Sequence, residues 1–526
     1  MTQEAQFNAA WDPWIPLMTR SGPELVSMRD AIARGGELTD LAADRPLATL
    51  PLVRLLVALV LRVYPEVGTD AEWKRSWREG QFDPEPLDDY LNRNRDRFEL
   101  YHDEHPFLQV AGLTPLSGPP KPATALLQQV ASGNNVTLFS AFTEGDQIVL
   151  THADALLQLL IVQGYDTAAI KTGARGDPMA KGGKTSGNPT GPLGQLGGVV
   201  PIGVNLHHTL LLNTPRWAVA RDDLPAWERT LTPAWETRTP TGLLDLLTWS
   251  SRRMRLVPHR SGVGSVVISA GDRQPFVDPN LEPHTRWRDN KTEGAAFRPI
   301  RWPAGSNAWR GLDTLLALNE LGESRTAMVL RQAIRASEVA AGDYPIRVVC
   351  LGVAYGNMSA VIEDVFIDRL PLPLAALAAD EPDVRDALLE VCARAEKVRQ
   401  ALNRLADKLR SLEGAEKLPW DSGVHPGNDA MPQLTAPTER LLSGISREPE
   451  RYEEGLAAWT DVARSIVWAC ANQLLDGAPP GAFQGRQIKK GSSARQVHLA
   501  DVERELGKDI AEALPKSPPA DERTTS

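Results

Sequence analysis

Residues 173–191 read GARGDPMAKGGKTSGNPTG. A Lys-Thr pair behind glycine is the chemistry of a phosphate-binding loop, in which backbone N–H groups wrap the phosphates and the lysine neutralises them. That loop requires glycine five positions before the glycine that precedes the lysine. Here Lys184 and Thr185 follow Gly183, and the required position is Pro178. Proline offers no N–H and has a fixed φ. The segment also follows the helix-patterned THADALLQLLIVQ (151–163) and runs into SGNPTGPLGQLGG, which cannot start a helix. It therefore reads as a long, locally basic loop, with Lys171, Arg175, Lys181 and Lys184 set against Asp177. Such a loop can lay backbone against a polyanion.

Other chemistry is sparse. HDEH (102–105) sets two histidines three apart, which is not the HExxH zinc pattern. It reads as surface or capping residues. His207 and His208 sit in the β-like NLHHTLLLN, where neighbours point to opposite faces and cannot share a metal. Cys350, Cys392 and Cys470 are far apart, so neither a zinc site nor a disulfide framework is implied. No G-x-S-x-G stands out. A second basic region spans 252–301, with ten Lys/Arg against five Asp/Glu in a chain whose net charge is −10. Arginines interleaved with Trp287 and Trp302 suit polyanion contact or stacking. A charged β surface anchored by core tryptophans is the competing reading.

The elements that must position these residues follow from periodicity and breakers. The 526 residues suffice for two or three domains, and 42% hydrophobic with 24% charged residues is ordinary globular composition. An acidic chain does not hold duplex DNA by blanketing phosphates, so any nucleic-acid role rests on local basic loops or a basic partner. LPLVRLLVALVLRVY (50–64), broken by Arg54 and Arg62, reads as a buried core helix rather than a membrane span. No membrane partner and a reducing, cytoplasmic setting are expected. Residues 1–370 form a mixed α+β domain, with helical stretches at 50–63, 152–163 and 310–339 and β-like runs at 199–206 and 265–270. FNAAWDPWIPLM (7–18) is extended because of Pro13 and Pro16. From 384 the residues Leu388, Val391, Ala395, Val398, Leu402, Leu405, Leu409 and Leu412 step by three and four, the seam of a helical bundle. Further helices at 436–446, 450–476 and 496–514 complete an expected all-α four-helix bundle over 371–515, with a disordered tail at 516–526.

The ordered motifs FNxxxxPWIPL, RLLVALVLR, WxxxWxxGxFD (73–83), HPFLQV (105–110), NNVTLF (134–139), IKTGARGD (170–177) and LLLN (210–213) carry a resemblance over nearly the whole chain. It resembles the CasA family, the large subunit of the type I-E CRISPR Cascade complex. The resemblance implies a non-enzymatic subunit that checks the protospacer-adjacent motif (PAM) in duplex DNA from the minor groove. It implies a role in starting unwinding and in receiving the helicase–nuclease, while guide-RNA pairing reads the remaining sequence. The implied partners are the other Cascade subunits, the crRNA and double-stranded target DNA.

Three DNA-contacting elements are implied. The counterpart of the family's glycine-rich loop is 166–173, with Ala168 and Ala169 where glycines are usual, and Lys171. The PAM-reaching cation, counted back from Pro283–His284, is Arg273. The wedge hairpin resembles AYGNMSA (354–360), with Asn357, Met358 and Ser359 at its tip and Met358 in the place of a glutamine. Asn135, Leu138 and Phe139 match the loop that anchors the subunit near the guide RNA. Some members carry zinc on two CxxC pairs; this chain has none, so no metal or other cofactor is expected. Two alternatives remain: an enzyme using 173–191 on a phosphorylated substrate, and a purely architectural subunit.

Overall fold

The structure is a computed structural model. It describes residues 6–41, 45–128, 130, 142–143, 145–290, 296–303, 305–318, 323–341, 343–356, 358–378, 382–416, 425–478, 480–490 and 493–516. The chain divides into two compact units. One holds Met1–Ser306, Ala317–Ala340 and Ile346–Arg369; the other holds Asn307–Leu316, Ala341–Pro345 and Leu370–Ser526.

The first unit is built on the helix Thr49–Val63, whose residues 49–61 are all buried. Apolar on nearly every side, with Arg54 and Arg62 ion-paired, it belongs inside a core. Among the described residues it is part of the one stretch long and apolar enough to cross a bilayer, and that stretch is 83% buried within the protein. Arg54 is buried there because both oxygens of Glu282 accept from its Nη1 at 2.9 Å and Leu246 O accepts from its Nη2 at 3.0 Å. A second buried helix, His152–Tyr165, starts where the Thr151 hydroxyl accepts from the Asp154 N–H at 3.0 Å.

Small antiparallel sheets carry the site. Gly198–Ile202 pairs with Ile346–Gly356, which pairs in turn with Val361–Leu372. Arg252–His259 and Gly262–Ala270 form a hairpin with an irregularity between Val257 and Pro258. Arg286–Asp289 lies between Phe297–Ile300 and Ser324–Arg325.

Two expectations for residues 199–339 are corrected. His207 and His208 are not on a strand: Leu206–Leu212 is a helix, because the Asn205 side chain caps it by accepting from the His208 N–H at 2.8 Å. The stretch 310–339 is not one long helix. It splits into Leu312–Leu315, the strand Ser324–Arg325 and Met328–Gln332. Pairing of Arg325 with Trp287, and of the Thr326 N–H with Ala317 O at 2.9 Å, overrides its local helix propensity.

The second unit is mainly helical. Its four longest helices are Pro382–Glu413, Thr435–Arg447, Tyr452–Asp476 and Leu499–Ala513. The first packs on the third and the fourth, and the second packs on the third. All eight seam residues of the first, from Leu388 to Leu412, are buried. The unit is not all-α: Arg486–Lys490 and Ser493–Val497 form a hairpin. The Gly-Ser pair between two β-compatible runs is the local signal for it. The tail expected to be disordered lies, from 517 onward, outside the described residues.

Candidate nucleic-acid interface

The KGGK stretch is a turn. Lys181 and Lys184 exchange backbone hydrogen bonds at 2.8 and 3.1 Å, and Gly182 and Gly183 have φ of +56° and +76°. Two consecutive positive φ values are what a two-residue hairpin turn demands, and glycine adopts them without a steric penalty. This turn completes the 173–183 connection between the paired strands Lys171–Thr172 and Lys184–Thr185. Inside it, buried Asp177 accepts from the Thr185 hydroxyl at 2.8 Å and from the Met179 N–H at 2.8 Å. The glycines thus serve backbone geometry, and Lys184 stands exposed at the tip. HDEH is a turn as well: His102 Nδ1 accepts from the N–H groups of Glu104 and His105 at 3.1 and 3.0 Å. Among the described residues no group of three or more His, Cys, Asp or Glu side chains is gathered as a metal would need.

Elements far apart in sequence meet next to this hairpin. The Ala168 N–H donates to Ser359 O at 2.8 Å, which joins the 166–173 segment to the tip of the 346–372 hairpin. The Tyr355 hydroxyl reinforces the junction by donating to Tyr165 O at 2.8 Å. Ala168 and Ala169 are half-buried, and neither has a positive φ, so alanine fits this path without strain. Ile170 beside them is 62% exposed.

Met358 is no core filler: it is 94% exposed. Met358 and Ser359 have φ of +56° and +64°, a left-handed pair without glycine that costs about 1–2 kcal/mol per residue. Strain of this kind collects at functional loops. Ser359→Gly is expected to relieve about 1 kcal/mol of it and to slow amide exchange along the flanking strands several-fold; unchanged exchange would contradict the strain. Asn357, and the candidate anchor residues Asn135, Leu138 and Phe139, lie outside the described residues.

Lys171 differs from its sequence-based role. Its ammonium is 2.6 Å from Asp166 Oδ2, with the side chain only 10% exposed, so it is not an open phosphate contact. The same oxygen accepts from Arg252 Nε at 2.5 Å. Burial pushes the Asp166 carboxyl up, but Lys171 and Arg252 outweigh it and hold the group below the usual carboxylate range. Lys171 is pushed down by burial, against Asp166, with Arg252 adding to the depression. Two cations on one carboxylate leave the node with excess positive charge.

Arg273 is half-buried in a cleft of about 780 Å³. Its guanidinium lies 3.8 Å from the Trp235 ring centre, and Nη2 donates to Ser186 O at 3.1 Å and Asn188 Oδ1 at 3.2 Å. Its Nε is buried without a partner among the described residues. The adjacent carboxylate is committed elsewhere: Asp272 binds Arg253 at 2.5 Å and Arg238 at 2.9 Å. Burial, with neighbouring Arg252, lowers the Arg273 pKa against the pull of Asp177. A desolvated cation without a carboxylate favours an anionic ligand.

The 252–301 region sorts by burial. Arg252, Arg253 and Arg286 are internal, with Arg286 stacked 3.5 Å from the Trp302 ring centre. Arg288, Arg298 and Arg301 are exposed along the cleft. Arg288 and Arg298 are direct partners across two strands. Like charges placed so are destabilising unless an anion comes between them. Phe276, 57% exposed, adds an apolar edge to the same cleft. Arg288, Arg298, Arg301, Phe276, Ile170 and Asn188 were not singled out from the sequence. Strand alternation puts Arg286 and Arg288 on one face, so it could not have separated buried Arg286 from exposed Arg288.

The arrangement can hold a polyanion against basic side chains and press one strained apolar tip beside it. The family model of CRISPR-associated protein Cse1 matches residues 8–470. The chain is 29% identical to the CRISPR-associated protein CasA/Cse1 of Thermus thermophilus, covering 96% of this chain and 98% of that one. It is similar in structure to Cse1 from Acidimicrobium ferrooxidans, with 30% identity, 97% and 99% of the two chains covered and a TM-score of 0.81. Thermobifida fusca Cse1 gives 27% identity, 98% and 99% coverage and a TM-score of 0.84. A chain of a CRISPR RNA-guided surveillance complex shares the fold, with 21% identity, 89% and 99% coverage and a TM-score of 0.68.

Proposed function

Because the chain belongs to the Cse1/CasA family, the large subunit of type I-E Cascade, we propose that it inspects the PAM of duplex DNA within an RNA-guided surveillance complex. It works there without catalysis, alongside the other Cascade subunits and the crRNA, in the cytoplasm. Ala168–Ala169 lie along the minor groove, Arg273 reaches the PAM, and Met358–Ser359 wedge into the adjoining base step. The exposed arginines hold the backbone and supply affinity without sequence information. The minor groove offers a degenerate donor and acceptor code, so readout is permissive among related PAMs. The four long C-terminal helices act as a bundle that receives the helicase–nuclease.

One observation carries this reading: the hydrogen bond at 2.8 Å between Ala168 and Ser359, with Arg273 one side chain away. Contact between elements that the family resemblance implies separately along the chain supports their acting together. An acidic protein can do this task, since specificity needs only local contacts while basic partners and RNA pairing supply affinity.

The test is reconstitution of the complex with Arg273→Ala or with Met358→Gly. Each is expected to weaken binding to correct-PAM duplex by about 5- to 100-fold, the range for one misread base pair, and to leave non-PAM binding nearly unchanged. Unchanged correct-PAM binding in both variants would overturn the assignment.

A further inference from the structure

We propose that Asn188 is a positioning residue for PAM readout, the side chain that fixes Arg273 relative to the backbone at Ala168–Ala169. This rests on the reading of Arg273 given above. Asn188 is 6% exposed, and its amide touches both elements. Nδ2 donates to Ala169 O at 3.0 Å and to Thr185 O at 2.8 Å, while Oδ1 accepts from Arg273 Nη2 at 3.2 Å. Two carbonyls on one end and a guanidinium on the other fix the orientation of the amide, since only nitrogen can donate to carbonyls and only oxygen can accept from arginine.

The backbone around Asn188 is itself held. Gly187 has a φ of +68°, Ser186 O accepts from Arg273, and Pro189 O accepts from Arg252 Nη2 at 2.7 Å. Arg252 is anchored in turn on Asp166. The guanidinium therefore rests on a strap tied at both ends, and Asn188 is the tie between that strap and the groove-facing backbone. Binding sites that must resolve small geometric differences need such support, because a side chain displaced by about 1 Å loses much of its discrimination. Serine is too short to span three partners. Aspartate preserves the shape but turns two donated hydrogen bonds into contacts between carbonyl oxygens and an anion.

The experiment is a double-mutant cycle in the assembled complex. It uses wild type, Asn188→Ala, Asn188→Asp, Arg273→Ala and the Asn188→Ala/Arg273→Ala pair. Each is measured for the ratio of PAM to non-PAM duplex affinity over a salt series. Asn188→Ala is expected to lower the ratio by about 5- to 20-fold, with the log–log salt slope unchanged because no phosphate contact is lost. Asn188→Asp, nearly identical in shape, is expected to match Arg273→Ala, since its carboxylate neutralises the cation. On the Arg273→Ala background, Asn188→Ala is expected to cause no further loss. Multiplicative losses in the pair would overturn the proposal by showing a merely structural role. So would a wild-type ratio in both Asn188 variants when Arg273→Ala is defective. A wild-type ratio in Arg273→Ala would overturn the Arg273 reading and this one with it.

Discussion

Replacing Arg288, Arg298 and Arg301 together by alanine is expected to weaken duplex binding by the complex by about 100-fold at physiological salt, for PAM and non-PAM DNA alike. All three are exposed on the cleft, and Arg288 and Arg298 face each other across neighbouring strands. Each phosphate contact removed lowers the log–log salt slope by about 1, so the triple variant is expected to lose about 2–3 from the slope. The PAM ratio stays near wild type, because phosphate contacts position the protein without reading sequence. The sheet itself is expected to gain stability: removing one of two like charges directly opposite each other is favourable by a few tenths of a kcal/mol, up to about 1. Weaker binding accompanied by a higher unfolding midpoint is the signature of residues kept for a ligand. Unchanged affinity and slope would refute the polyanion cleft.

Asp166→Ala is expected to be the most destabilising single exchange at the interface, by about 3–5 kcal/mol, because it leaves two buried cations without their anion. Asp166 Oδ2 accepts from Lys171 at 2.6 Å and from Arg252 at 2.5 Å. Lys171→Met, by contrast, leaves a one-to-one Asp166–Arg252 pair and is expected to stay within about 1 kcal/mol of wild type. Amide exchange across 152–190 and the unfolding midpoint measure both. A mild Asp166→Ala with a severe Lys171→Met would invert the argument.

The pH dependence has a definite sign. Burial opposes ionisation of Asp166, but Lys171 and Arg252 win, and its folded pKa lies below the ordinary value. The folded state then binds fewer protons than the unfolded chain in acid. The contribution is fully present above the unfolded carboxylate range and is lost as pH falls through the depressed folded pKa. Asp166→Ala is expected to flatten this acid limb. A limb of unchanged size would point to other carboxylates. Lys171→Met is also expected to leave the salt slope of DNA binding unchanged, since that ammonium is spent inside the protein.

Much of the fold was legible locally. The largely apolar pattern of 50–64 put that helix in a core, and the leucine seam from 388 to 412 is buried along its length. Pro178 and the helix-then-loop context spoke against a phosphate loop, and the two glycines occupy the conformations a tight turn requires. Legibility failed where a local cap went unread and where a remote partner outvotes neighbours. NLHHTLLLN has the apolar content of a strand, yet the Asn205 cap makes it a helix. The stretch 310–339 has helix formers throughout, yet Arg325 pairs with Trp287 instead.

The site divides in the same way. Sequence alone carried the ordered motifs that named the family, and through that resemblance it pointed to 166–173, Arg273 and 357–359 as candidates. Local rules suffice there because a motif, a turn or a helix face is set by residues within a few positions of one another. Only tertiary structure decided which cations are free. Lys171 and Arg252 share an internal carboxylate, Asp272 is taken by Arg238 and Arg253, and Arg273 has no carboxylate partner among the described residues. Only tertiary structure, too, brought Ala168 against Ser359 and set Asn188 between two of the elements. The physical reason is range. Conformational preference is decided over a turn or two of chain, whereas the availability of a charge depends on which distant carboxylate packing brings within about 4 Å.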